Sequence, residues 1–161
     1  MSPLSQSAQA ATLLESTQIA DALNPSGIRV AGIRMIPVAG GKYKVWTKRI
    51  GSGSVKVLLL HGGPGFPHDY LEAMESFLPQ AGIEMYYYDQ LGCGNSDIPD
   101  DTSLWTLERY TEEVEEVRRG LGLENFVLYG QSWGGMLAIE YALRGSSANN
   151  FSGENEVLEK D

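Results

Sequence analysis

The hydrophobic positions of this chain change period several times, and each change marks a new element. Ile28 to Val38 and Lys42 to Ile50 carry β-branched residues in partial or clean alternation around a Gly40-Gly41 turn. In the second run Tyr43, Val45 and Thr47 share one face, with Trp46 and the lysines on the other. That pattern predicts an antiparallel hairpin at a sheet edge. Val55-Lys56-Val57-Leu58-Leu59-Leu60 is instead nearly continuous, as in a strand buried on both faces of a parallel sheet. Ile83 to Tyr88 and Phe126 to Tyr129 read as further strands. Helical spacing falls between and after them. Tyr70, Leu71, Met74, Phe77 and Leu78 predict a helix over 69–78, and Tyr110, Val114, Val117 and Leu121 give the buried stripe of one over 107–121. A third helix opens at Gly135 and runs to Leu143. Strands alternating with helices after an initial hairpin predict an α/β fold with a mostly parallel sheet.

The two ends lack this periodicity. Residues 1–27, rich in Ser, Ala and Gln and broken at Asn24-Pro25-Ser26-Gly27, read as a flexible arm, which leaves 28–144 as the folded domain. Residues 145–161, Ser- and Asn-rich and then acidic, read as a disordered tail. The formal net charge of −9 over 161 residues argues against nucleic-acid binding, since 12 Lys and Arg cannot assemble a basic face free of acids. No apolar run approaches the roughly 18 residues needed to cross a bilayer, so no membrane role is expected. The first 20 residues lack the charged and apolar regions of a secretory signal, so the cytoplasm is the expected location. The single cysteine, Cys93, excludes an intramolecular disulfide and a cysteine-rich zinc site, and it reads as a small loop residue.

Three segments carry candidate chemistry. Gly130-Gln131-Ser132-Trp133-Gly134 sits between a strand and a helix, the setting in which a serine on a strained turn presents its hydroxyl as a nucleophile. The loop His61-Gly62-Gly63-Pro64-Gly65 follows a buried strand and can aim a backbone N–H at a developing oxyanion, or can simply be a tight connection. In Asp89-Gln90-Leu91-Gly92-Cys93-Gly94-Asn95-Ser96-Asp97, Asp89 is better suited to anchoring the loop through backbone N–H groups than to serving as a catalytic acid.

Taken together, in this order and at these separations, the three segments resemble the proline iminopeptidases of the α/β-hydrolase superfamily. The similarity runs from about Arg34 to Leu143. The resemblance implies an α/β-hydrolase fold and a serine aminopeptidase that removes N-terminal proline or a similar residue from small peptides with a free N-terminus. No metal and no cofactor are implied. Carried over to this sequence, Ser132 is the nucleophile and the backbone N–H groups of Gly63 and Trp133 form the oxyanion hole. His61, Asp89 and Gly92 are structural members of their loops. Leu91 departs from the pattern, since many family members have Arg there.

A serine hydroxyl also needs a base. The family order is Ser, Asp, His, whereas the two histidines here, His61 and His68, both precede Ser132. The triad Asp and His are therefore expected to be absent from this chain, with no tail residue such as Asp161 standing in. The expectation is an α/β-hydrolase fold truncated after the nucleophile-elbow helix and inactive alone. Two alternatives stay open: another α/β hydrolase such as an esterase, and a non-catalytic partner that assembles through an open sheet edge.

Overall fold

A computed structural model describes residues 32–149, with side chains to residue 145. The arm expected over 1–27, the first residues of the expected hairpin and the end of the expected tail lie outside the described residues. Five strands form one sheet: β1 (Ile33–Val38), β2 (Tyr43–Ile50), β3 (Val55–Leu60), β4 (Ile83–Tyr88) and β5 (Val127–Gly130), in the order β1-β2-β4-β3-β5. β1 and β2 make the antiparallel hairpin, with Ile36 opposite Val45. β2 also runs antiparallel to β4, while β3 is parallel to both β4 and β5.

The continuous apolar runs follow from burial on both faces. Leu58, Leu60, Tyr86 and Tyr88 point into one cluster with Val45, Val114, Val117 and Leu137. Val57, Leu59, Met85 and Tyr87 point the other way, against Leu71. Two α-helices cover the first face, α1 (Leu107–Leu121) and α2 (Trp133–Asn149). Thr106 caps α1 by accepting the Arg109 N–H at 3.2 Å, and the chain leaves it through Gly122, whose N–H reaches the Arg119 carbonyl. No helix among the described residues is long and apolar enough to cross a membrane.

Two expectations are corrected. Residues 68–76 form a 3₁₀ segment followed by a short second one at 79–81, not an α-helix over 69–78. At three residues per turn, His68, Leu71 and Met74 line the inner side, while Tyr70 and Phe77, two of the apolar positions whose spacing predicted the helix, are exposed. Anchors outside the segment hold this geometry. The His68 N–H donates to Asp89 Oδ1 at 2.9 Å, and Lys48 of β2 bridges Glu72 and Glu75 at 3.1 and 2.9 Å. At the other end, α2 continues through Gly145 to Asn149, into the stretch expected to begin a disordered tail. Helical hydrogen bonding carries the backbone past the point where apolar periodicity stops.

Candidate active site

The turn from β5 into α2 is built around two close approaches. A Cβ at Gly134 would collide with the backbone carbonyls of Leu60 and His61, and one at Gly130 with the Gly134 carbonyl. Only glycine lets the helix start so near the end of β3 and the end of its own strand. Between them Ser132 takes φ +54°, in the left-handed region that non-glycine residues rarely enter. The turn is closed by Gly134 N–H to the Gln131 carbonyl and Gly135 N–H to the Ser132 carbonyl, both 2.9 Å. Gln131 N–H reaches back to the Leu60 carbonyl at 3.2 Å. Ser132 is exposed.

The glycine loop after β3 faces this elbow. Gly62, Gly63, Phe66, Tyr70, Gln131 and Ser132 line one cavity of about 360 Å³. At Gly62 a Cβ would lie 2.5 Å from Gln131 Oε1 and 3.3 Å from Ser132 Cβ, so loop and elbow are in direct apposition. Gly63 has φ +122°, and a Cβ there would meet the Gly65 and Phe66 amide nitrogens. Trp133 is the first residue of α2, where N–H groups have no partner inside the helix. Its ring turns away from the Ser132 cavity into a second one of about 280 Å³, lined also by Pro64, Gly65, Gly92, Trp105 and Tyr110. The three sequence-predicted residues Gly63, Ser132 and Trp133 thus converge on two neighbouring segments.

Tyr70 joins them. Its hydroxyl accepts the Gly62 N–H at 2.6 Å and donates to Gln131 Oε1 at 2.9 Å. Sequence periodicity counted Tyr70 among the apolar positions of a helix, and only the true three-residue period of its segment signals its outward position. Gln90 is the second residue that sequence reasoning passed over. It lies within the Asp89–Asp97 segment, and its carboxamide accepts the Trp133 Nε1–H at 2.9 Å.

Neither histidine is free to act on Ser132. His61 is fully buried, with Nδ1 2.9 Å from the Gly62 carbonyl and Nε2 accepting the Gln90 N–H at 2.9 Å. Burial lowers its pKa, outweighing the contact with the Gly62 carbonyl that favours the cation. His68 puts Nδ1 2.7 Å from Asp89 Oδ1, and its ring stacks on Trp46 at 4.4 Å. Burial opposes its protonation, but the Asp89 hydrogen bond and the charges of Asp89, Asp69 and Glu72 prevail and raise its pKa. Asp89 pays the converse: burial works against its charge, yet bonds from His68 and Asn95 hold the carboxyl below its usual range. With Oδ2 accepting both the N–H and the side-chain amide of Asn95, this His–Asp pair ties the 89–97 loop to the 3₁₀ segment. Cys93 is buried, its thiol pushed up to about 12 by burial and neighbouring carboxylates. Among the described residues no group of His, Cys, Asp or Glu is arranged to hold a metal ion.

The alpha/beta hydrolase fold family matches residues 56–150, which hold both the glycine loop and the elbow. The chain belongs to this family. Among α/β hydrolases it is similar to the proline iminopeptidase of Chitinophaga pinensis, at 58% identity over 115 residues that cover 68% of this chain and 38% of the relative. The crystal structure of proline iminopeptidase from Mycobacterium smegmatis superposes with a TM-score of 0.65 at 34% identity, over 71% of this chain and 40% of that one. A structure called VinJ superposes with a TM-score of 0.66 at 40% identity, over 72% and 40%. The chain therefore spans about two fifths of the length of these α/β-hydrolase relatives.

Proposed function

We propose that this chain carries the nucleophile and oxyanion half of a serine aminopeptidase that releases N-terminal proline or a similar residue from peptides. The observation that carries the reading is Ser132, held at a left-handed φ between β5 and α2 and facing the Gly62-Gly63 loop across one cavity. Similarity to proline iminopeptidases supplies the substrate class. In this reading Ser132 Oγ attacks the carbonyl of the substrate's first residue, and the Gly63 and Trp133 N–H groups receive the oxyanion. Collapse of the tetrahedral intermediate expels the amine of the shortened peptide, and water then releases the acyl group. Each oxyanion donor of this kind is worth about 2.7–4 kcal/mol at the transition state.

The proton of Ser132 needs a base, and both histidines of the chain are engaged elsewhere. Without one, catalysis falls to the residual ~10³–10⁴-fold over water that binding and an oxyanion hole supply. The 161-residue chain is thus expected to release no arylamine from a prolyl-arylamide at an enzymatic rate. A chimera completed with the later segment of the C. pinensis relative is expected to release it, and Ser132→Ala in that chimera to abolish release. Rapid turnover by the chain alone overturns the missing-base reading, and an active Ser132→Ala chimera overturns the nucleophile.

A second reading is favoured by the open edge at β5. Val127 of β5, a strand paired only to β3 among the described residues, is 53% exposed on the sheet face opposite α2, whose own Met136 and Ile139 are 55% and 65% exposed. That edge suits a non-catalytic assembly partner, and a stable monomer at high concentration counts against it.

A further inference from the structure

The two proposed oxyanion donors lie on different segments: Gly63 after β3, and Trp133 at the start of α2. Their separation depends on what ties the two segments together. We propose that Gln90 is a positioning residue between them, and the proposal rests on the acyl-transfer reading above.

Gln90 follows the end of β4 and is 1% exposed. Its side-chain nitrogen lies 3.3 Å from His61 Nδ1, and its hydrogen bonds join the two segments. Its backbone N–H donates to His61 Nε2 at 2.9 Å, its side-chain Nε2 donates to the His61 carbonyl at 3.0 Å, and its Oε1 accepts from Trp133 Nε1 at 2.9 Å. The first bond fixes the His61 tautomer. A backbone N–H can only donate, so Nε2 carries the lone pair and Nδ1 carries the proton. That proton points to the Gly62 carbonyl 2.9 Å away, which orients the peptide leading into Gly63. One carboxamide therefore grips the glycine loop through its nitrogen and the residue after the nucleophile through its oxygen.

The assignment demands a side chain that donates and accepts at once. A carboxylate would face the His61 carbonyl oxygen with its own oxygen, and a thioether would satisfy neither partner. Buried polar groups left without partners do not stay in place, because desolvation is uncompensated. Displacing reacting or stabilising groups by about 1 Å can cost 10²-fold in rate. Gln90 touches no substrate in this arrangement; it acts through His61 and Trp133.

The test is the rate at which a fluorophosphonate labels Ser132 in the chain and in the chimera described above, which supplies the base, with Ser132→Ala as the blank. In this reaction Oγ bonds to phosphorus, the P–F bond breaks, and fluoride and the serine proton leave to solvent. Labelling is measured on the folded fraction, with each variant's Tm recorded. Gln90→Met is expected to slow labelling at least about tenfold and to shift the Trp133 indole ¹⁵N–¹H resonance. Trp133→Phe keeps the backbone N–H but drops the ring donor, and it is expected to slow labelling as well. Because both act through one bond, the double variant should lose less than the product of the single losses. Should Gln90→Met not fold, Gln90→Leu, which likewise drops the acceptor for the Trp133 Nε1–H, takes its place in the cycle. Labelling of either Gln90 variant at the parental rate, or single losses that multiply in full, overturns the proposal while leaving the nucleophile standing. A chain and a chimera both labelled no faster than their Ser132→Ala forms overturn the acyl-transfer reading itself, and the proposal with it.

Discussion

At the scale of single residues, the elbow is a strained arrangement held by its neighbours. A non-glycine residue in a sparsely populated backbone region costs about 1–3 kcal/mol and persists only where surroundings over-determine it. For Ser132 these surroundings are the glycines at 130 and 134 and the hydrogen bonds that close the turn. Gly134→Ala drives a methyl into the Leu60 carbonyl, a backbone atom that cannot step aside. It is expected to destabilise by about 1–3 kcal/mol, read as a lower urea midpoint. Glu113 is a second residue under tension. Burial pushes its carboxyl up to about 8, against the pull of the Leu91 N–H and Arg109. Its Oε1 holds the Leu91 N–H at 3.0 Å, while Oε2 has no hydrogen-bond partner among the described residues. Between an ordinary carboxyl value of about 4.3 and about 8, the native state keeps a proton that the unfolded chain has released. Stability from this group therefore falls as pH rises through that window. Glu113→Gln keeps an oxygen for Leu91 and cannot ionise. Its urea midpoint, compared with wild type at about pH 5 and about pH 9, is expected to gain on the parent at the higher pH. An unchanged difference overturns the assignment.

At the scale of elements, strands were more legible than the first helical segment. Alternation in β2 and the apolar runs of β3 and β4 each have a single physical explanation, burial on one face or on both. The stretch at 68–78 has two, because spacings of i and i+3 serve both an α-helix and a 3₁₀ segment. Contacts distant in sequence decided between them: Asp89 takes the His68 N–H, and Tyr70 turns out to meet Gly62 and Gln131. The two registers make different demands on the same residues. Leu71, 2% exposed, is expected to cost about 2–5 kcal/mol on truncation to Ala. Phe77, 70% exposed, should be neutral to Ser within about 0.5 kcal/mol. Comparable losses at both positions in thermal or urea unfolding would restore the α-helix expected over 69–78.

At the scale of the whole molecule, β1 and β5 are the sheet edges among the described residues, and the two differ. Pro37 removes one donor from β1, and Arg34 adds a charge there. β5 carries Val127 and Tyr129 exposed on the sheet face opposite α2, and α2 itself exposes Met136 and Ile139. A short apolar edge strand, with further apolar residues exposed on α2, invites strand addition or self-association. The chain is expected to elute from size exclusion with a concentration-dependent apparent mass. Combined Val127→Lys and Ile139→Lys should shift it toward the monomer, and identical profiles would remove these residues as the cause.

The sequence alone determined the α/β architecture, the hairpin, the order of the three glycine-rich segments and the position of Ser132. Each depends on local chemistry: periodicity of apolar side chains, or glycine where a backbone must turn sharply or pass close to another. Tertiary structure decided the roles of Tyr70, Gln90, His61 and His68, whose partners are far away along the chain. A histidine beside an aspartate reads as potential catalysis until the carboxylate is seen to be filled by His68 and Asn95. Hydrogen bonds are directional and of short range, so which groups they join depends on how the segments pack, and no pattern along the chain encodes that.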